Sequence, residues 1–417
     1  MAAVERVRTS VGSGAERVIT SRFVAGARDL EPELVRIRRA AHRMPELGFE
    51  ERETGRLVLD AVSRLAPGVV ARPIAGTGLL VSVSEARPLV LLRGCLDALP
   101  VEDATNAEYA STAPGRSHAC GHDGQIAVLL GAVALLARAA PPFGVAALFQ
   151  PAEELDTGAR AVIDDGLFDL VDPAVMLGFH GHPGLPAGTF AAQPGPVMAS
   201  ITTVRCRIHG HAGHGAEPHL TADAATAAAS LVLDWQVALG RRVDPRQPVV
   251  LSVGRIAAGT TPNVVPGYAE VDATLRRLDP TVEPVLQRLL SDVVRGVEMR
   301  TGTTIELQAD PVVPAVINDE GVAAAAAAGV ADLFGAAASV HVEPTLGGDD
   351  FSWYLERVPG CYVFLGERAE GRAPYGWHDP AYDLDERSLV MGSAALAAMT
   401  HRVAEAAANR EAEGGSE

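Results

Sequence analysis

Three apolar runs constrain this chain most, because each has the length of a strand and each runs straight into polar residues. "PLVLLRG" ends beside Cys95, "GVAALFQ" ends at Gln150 and "AVMLGFH" ends at His180. Helical patterns at 31–43, 125–139 and 159–167 fall between or before them. Such alternation predicts an α/β domain whose mostly parallel sheet is covered on both faces. Functional groups in that architecture gather beyond the carboxyl ends of the strands.

From about Ser200 the pattern changes. "ITTVRCRIHG", "VVLSVGRI", "YAEVDATLRRL" and "TTIELQAD" alternate like half-buried strands of an antiparallel sheet, with helical stretches at 221–239 and 283–299. After Pro311 the chain reads α/β again, through a helix at 319–335 and the strand "CYVFLGE". With 417 residues, two domains are expected. The reading is a larger α/β domain with a mostly parallel mixed sheet, formed by 1–199 and 310–417. A smaller α+β domain, 200–309, interrupts it. Residues 1 to about 28 and the polar tail "AEAAANREAEGGSE" are expected to fray.

Composition excludes several partners and chemistries. The formal charge of −17, with no Arg-rich run to offset it, argues against nucleic acid or an anionic membrane. There is no lysine, so all thirty-five cationic side chains are arginine and no Schiff base can form. Cys95, Cys120, Cys206 and Cys361 are too far apart for a disulfide-stapled scaffold, and the charged N-terminus lacks the apolar stretch of a signal peptide. A cytoplasmic location is expected. The runs "IAVLLGAVALLA" and 321–331 fall short of the about 20 apolar residues a spanning helix needs.

Five places carry dense polar groups at strand ends or in loops. They are Asp97 in "GCLDALP", the loop "SHACGHDGQ", Glu153 and Glu154 in "QPAEE", His180 in "GFHGHP" and His378 in "YGWHDP". Each alone has a bland reading: a satisfied histidine, a turn whose aspartate caps the helix from Gln125, a solvated carboxylate pair. Together they lie at the expected mouth of one sheet, where they can converge. Thiolate, imidazole and carboxylate suit zinc, manganese, cobalt or nickel, and a mixed set of five or six donors can hold two ions. One of the adjacent glutamates can then bind metal while the other faces water as a general base.

The order "RRAAHRMPELGFEERET", "LRGCLDALP", "HACGHDG", "FQPAEE", "GFHGHPGLPAG", "HGHAGHGAEPH", "TPNVVPGYAEVDATLRR", "GGDDFSWYL" and "WHDPAYDLDE" closely resembles the M20 metallopeptidase family. The nearest branch is that of amidohydrolases acting on N-acyl and conjugated amino acids, such as hippurate and auxin-conjugate hydrolases. The resemblance implies an exopeptidase-like catalytic domain and an inserted lid and dimerisation domain. It places Cys120, His122, Glu154, His180 and His378 as ligands of two divalent ions, Glu153 as general base, and Asp97 as the residue that orients them. His214 would stabilise the oxyanion, in relatives across a homodimer or higher oligomer, and Asn263 and Arg276 would hold a substrate carboxylate.

Three positions depart from the branch: Cys95 replaces an aspartate, Gln125 a histidine, and Asp349 a glutamate. The first two lie near the expected site and bear on metal preference or substrate fit. His118, His182 and His211 are read as polar neighbours rather than ligands. The implied reaction is attack on the amide of an N-acyl amino acid, or a related small amide, by a water bridging the metals and deprotonated by Glu153. The alternatives are a specialised biosynthetic deacylase and a non-catalytic scaffold of the same fold. A serine triad is disfavoured because no G-x-S-x-G occurs, and a dinucleotide enzyme because no G-x-G-x-x-G follows an early strand.

Overall fold

The computed structural model describes residues 14–369 and 375–414. They form two compact units. One comprises the chain up to Pro194, Asn318–Val342 and the residues from Arg357 onward; the other comprises Gly195–Ile317 and Glu343–Glu356.

The larger unit is built on a seven-stranded mixed sheet. Its strands are β1 (Val70–Ile74), β2 (Gly78–Ser84), β3 (Leu89–Cys95), β4 (Gly144–Gln150), β5 (Val175–Pro186), β6 (Phe190–Ala191) and β7 (Gly360–Arg368), in the order β1-β2-β4-β3-β5-β7-β6. The central β4, β3, β5 and β7 run parallel, as the three apolar runs predicted, while β1, β2 and β6 pair antiparallel at the edges. β3 and β4 are buried at every position, which explains why they read as continuous apolar runs rather than alternating ones.

Among the described residues, the long helices of this unit are α1 (Gly14–Arg43), α2 (Arg52–Leu65), α3 (His122–Ala139), α4 (Glu320–Phe334) and α5 (Arg387–Gly414). α3 is buried from His122 through Leu136, so it is a core helix rather than an amphipathic one. It alone among the described helices has the length and apolarity to cross a bilayer, and 83% of that window is buried inside the fold.

The expectation of fraying at the ends is corrected where the residues are described. α1 begins at Gly14, and the buried Phe23, Ala27, Leu30, Leu34, Ile37 and Ala41 recur at alternating spacings of four and three along one stripe. α5 continues to Gly414, burying Val403, Ala404 and Ala407. Residues 1–13 and 415–417 lie outside the described residues.

The smaller unit has a four-stranded antiparallel sheet, Val249–Ala258, Tyr268–Arg277, Ser200–His209 and Thr304–Val313 in that spatial order. Its inward positions have period two: Val204, Cys206 and Ile208 on one strand, Ala269, Val271, Ala273 and Leu275 on the next. The helices Ala224–Arg242 and Glu283–Thr301 supply the rest of this core, with Leu231, Trp235, Leu286, Leu290 and Val297. Asp223 starts the first helix by accepting from the Ala225 and Thr226 amides.

Candidate metal centre

Register places the polar strand ends side by side. Cys95 at the end of β3 lies opposite Gln150 at the end of β4, and Arg93 lies opposite Gly178 of β5, which brings His180 level with Cys95. The Leu96 amide donates to the Gln150 carbonyl, so the chain leaves the sheet there and delivers Asp97, fully buried, to the crevice. A tight turn at Glu153–Leu155 follows β4 and carries the adjacent glutamates.

The loop before α3 adds Cys120 and His122. Gly121 between them has φ +78°, and a Cβ there would come within 2.7 Å of the Tyr382 hydroxyl, so only glycine fits. His378, the last donor in the chain, has φ +66°, a left-handed conformation that costs a non-glycine residue of order 1–3 kcal/mol and is held by its amide bond to the Ala119 carbonyl.

Within the larger unit, three sets of donor atoms each lie within 4.8 Å of one another: Cys120, His122 and His180; Cys120, Glu154 and His378; and Cys95, His122 and Glu153. Cys120 Sγ is 3.4 Å from His180 Nε2, and His378 Nε2 is 3.3 Å from Glu154 Oε2. All six residues expected to bind metal or act as base therefore meet at one place, and Asp97 joins them. The Asp97 carbonyl accepts from His122 Nδ1 at 2.8 Å, and its carboxylate accepts from the Glu154 amide at 2.9 Å.

Those bonds set the tautomers. A carbonyl only accepts, so Nδ1 of His122 and, through its 2.8 Å bond to the Gly181 carbonyl, Nδ1 of His180 both carry protons. Each Nε2 is left facing the other donors. His122 Nε2 and Glu154 Oε1 are buried without a hydrogen-bond partner among the described residues. A buried polar atom without a partner is costly, and a cation would satisfy both.

Electrostatics point the same way. Burial pulls the His122 pKa down, but the Asp97 and Glu154 carboxylates outweigh it and raise it to about 9. Burial and the two glutamates push the Cys120 thiol well above its ordinary value. Burial would raise Glu154, yet the bond from His378 holds it lower, and His378 is raised in return. The pocket is rich in anions and short of positive charge. Its donors suit divalent ions, and Cys120, His122, Glu154, His180 and His378 could hold two.

The smaller unit holds the remaining expected residues. His214 and Asn263 lie on one two-stranded ribbon, where His214 pairs with Val264 and the Gly215 amide donates to the Asn263 carbonyl. Both are exposed. Arg276 is on a central strand and donates to the Leu346 carbonyl at 2.8 Å.

The other histidines stay outside the donor sets. His182 packs edge-on against Phe364 and Trp377, and its Nδ1 accepts from the Gly184 amide. His211 is exposed in the smaller unit. His118 is fully buried, burial lowers its pKa to about 4, and neither ring nitrogen has a hydrogen-bond partner among the described residues.

A support layer behind the loop escaped the sequence reading. Asp123, next to His122, accepts from Arg38 Nε at 2.7 Å and lies 2.8 Å from His42 Nδ1. Arg38 also donates to Asp383 and Glu386. Behind Gly181 sits Glu367, buried, with the Tyr382 hydroxyl donating to it at 2.6 Å. The spacing of Arg38 and His42, one helical turn apart in a helix of otherwise ordinary polarity, is the only sequence signal for the first of these groups.

Comparison with known proteins agrees with this geometry. The model of "Peptidase family M20/M25/M40" matches residues 91–402. The chain is 34% identical over 364 residues to an N-acetylcysteine deacetylase of Bacillus subtilis (strain 168), covering 86% of this chain and 94% of that one. It is 33% identical over 362 residues to an N-acetyldiaminopimelate deacetylase of Exiguobacterium sibiricum, covering 85% and 95%. Its structure is similar to that of a dinuclear metal-binding peptidase of the M20 family from Bacillus subtilis, with a TM-score of 0.79 at 30% identity over 91% of this chain and 99% of the other.

Proposed function

Because the chain belongs to peptidase family M20/M25/M40 and is an M20-type metal-dependent amidohydrolase, we propose that it removes the acyl group from N-acyl or conjugated amino acids, with Glu153 as general base. The observation that carries this reading is the convergence of Cys120, His122, Glu154, His180 and His378, with His122 Nε2 and Glu154 Oε1 lacking partners, beside Glu153. The names of the two deacetylases support an acylated amino acid as substrate.

Those five residues would hold the two ions, which when bound supply Lewis acidity toward the amide carbonyl and lower the pKa of water. Glu153 takes the proton from the attacking water and passes it to the departing amine nitrogen, so one carboxylate serves as base and then acid. Asp97 fixes both neighbours of that event, the His122 ring through its carbonyl and the Glu154 backbone through its carboxylate. His214 donates to the developing oxyanion, for which one good donor contributes about 3–4 kcal/mol. Asn263 and Arg276 hold the substrate carboxylate.

His214 acts across a homodimer formed by the smaller unit. Two features of that unit support the assembly. Leu233 and Val237, one turn apart on the helix Ala224–Arg242, are 67% and 65% exposed, and the strand Val249–Ala258 is a sheet edge. Among the described residues the four cysteines are buried and none is in a disulfide, which suits a reducing cytoplasm.

The test is elemental analysis with turnover of a panel of N-acyl amino acids by wild type and Glu153→Gln. Two ions per chain in both proteins, with kcat lower by about 10²–10⁴-fold in the variant, are expected. A variant that keeps its rate removes Glu153 from the mechanism. A wild type that binds no added divalent ion overturns the whole reading.

A further inference from the structure

Two of the positions that depart from the branch, Cys95 and Gln125, are in contact with each other. Cys95 closes β3 and is fully buried; Gln125 sits one turn beyond His122 on α3 and is also buried. The Cys95 amide donates to Gln125 Oε1 at 3.1 Å. A backbone N–H can only donate, so the Gln125 carbonyl oxygen must face it, which leaves Nε2 without a hydrogen-bond partner among the described residues. A histidine at 125 and an aspartate at 95 would differ in shape and charge from this amide and thiol. The two positions therefore act as one unit, in which Gln125 fixes the backbone that aims the Cys95 side chain.

That side chain reaches the donors already described. The Cys95 thiol, a His122 ring nitrogen and a Glu153 carboxylate oxygen lie within 4.8 Å of one another, as do the Cys120 thiol, His122 and His180. His122 thus has a sulfur within reach in each of two donor sets. Zn–S bonds of about 2.3 Å and Zn–N bonds of about 2.0–2.1 Å put donors of one tetrahedral ion within such a separation.

We propose that Cys95 is a metal donor of this centre, which with Cys120 gives it two sulfurs and a selectivity for zinc-like ions over manganese. Thiolate donors favour soft and borderline ions, whereas an aspartate at 95 would favour harder ones. The proposal rests on the two-metal reading above and adds a donor to it.

The experiment uses the full-length protein stripped by chelation and titrated with Cd²⁺ alone, whose thiolate-to-metal charge-transfer absorption in the ultraviolet counts bound sulfurs. Wild type, Cys95→Ser and Cys120→Ser are compared, and each titration is repeated in the presence of excess Mn²⁺. Each single variant is expected to show about half the wild-type absorption, and Cys95→Ser to lose about tenfold of the Cd²⁺-over-Mn²⁺ preference. Full absorption in Cys95→Ser, together with its complete loss in Cys120→Ser, would overturn the proposal and leave the two-metal reading intact. A wild type with no absorption and no bound ion would overturn both. Should Cys95→Ser fail to fold, Cys95→Asp keeps a buried acceptor and an oxygen donor and is read by the same criteria.

Discussion

In the larger unit Arg38 is fully buried and reaches Asp123, Asp383 and Glu386, groups separated from it by 85 to 348 positions in the chain. In the sheet of the smaller unit, Arg205 and Arg207 meet Asp310 and Asp272 in pairs that are between about a quarter and a half exposed. The first arrangement pins the loop that carries Cys120 and His122 to the helix α1. The second joins neighbouring strands across water, where an ion pair contributes about 0–1 kcal/mol. Charge in one unit is a constraint on geometry; in the other it is mostly a solvated coat over an apolar core.

Breaking the buried network should produce the largest effect on stability. Arg38→Met removes one partner of a buried ion pair and leaves the Asp123 carboxylate with His42 alone, and a loss of about 3–5 kcal/mol is expected in denaturant unfolding. Burial works against the Asp123 charge, but Arg38 and His42 hold its pKa far below the ordinary carboxylate range. A depressed folded pKa stabilises above the unfolded value of about 3.9, and that stability is lost as pH falls. The gap between wild type and Arg38→Met should therefore be widest at neutral pH and narrow below about pH 4. Arg205→Met in the smaller unit, measured alongside, should change stability by no more than about 1 kcal/mol. A gap of equal size in the two variants would erase the contrast between the units.

Glu367 gives the opposite sign within the same unit. Burial raises its pKa to about 8, although the Tyr382 hydroxyl opposes the shift. A raised folded pKa means that its contribution is fully present below the unfolded value of about 4.3 and is lost as pH rises toward 8. Metal-free protein should lose stability over that window with a slope of up to about 1.4 kcal/mol per pH unit, and Glu367→Gln should flatten it. An unchanged slope in the variant would show that Glu367 is ionised in the fold.

The smallest effect on the folded chain is expected at the helix Ala224–Arg242. Leu233→Ser with Val237→Ser should shift unfolding of the isolated protomer by about 0.5 kcal/mol or less, because both side chains are exposed. The same double variant should weaken self-association in sedimentation experiments. A variant that associates as wild type does would remove this helix from the subunit contact.

What could be read from the sequence divides along the same line. The strand ends were legible because β3, β4 and β5 are buried on both faces and so appear as unbroken apolar runs, each stopping where chemistry begins. Cys120, His122, Glu153 and Glu154 were legible because short loops carry them directly after or before those elements. The start of α1 was not, since Phe23, Ala27 and Leu30 are set among charged residues and their stripe is completed only by Leu34, Ile37 and Ala41. Nor was the bond between Arg38 and Asp123, because no local pattern records a contact between residues 85 positions apart.

The order of the donors along the chain has a consequence for synthesis. Cys120, His122, Glu154 and His180 precede the smaller unit, whereas His378 and two of the three carboxylates on Arg38, Asp383 and Glu386, follow it. On the ribosome, where domains fold as units while the chain emerges, the inserted unit is complete first. The candidate metal pocket stays unfinished until nearly the whole polypeptide has been made. With the proposed ligand set, loading with ions would be deferred to the end of translation, and a chain truncated ahead of His378 would lack one donor of that set.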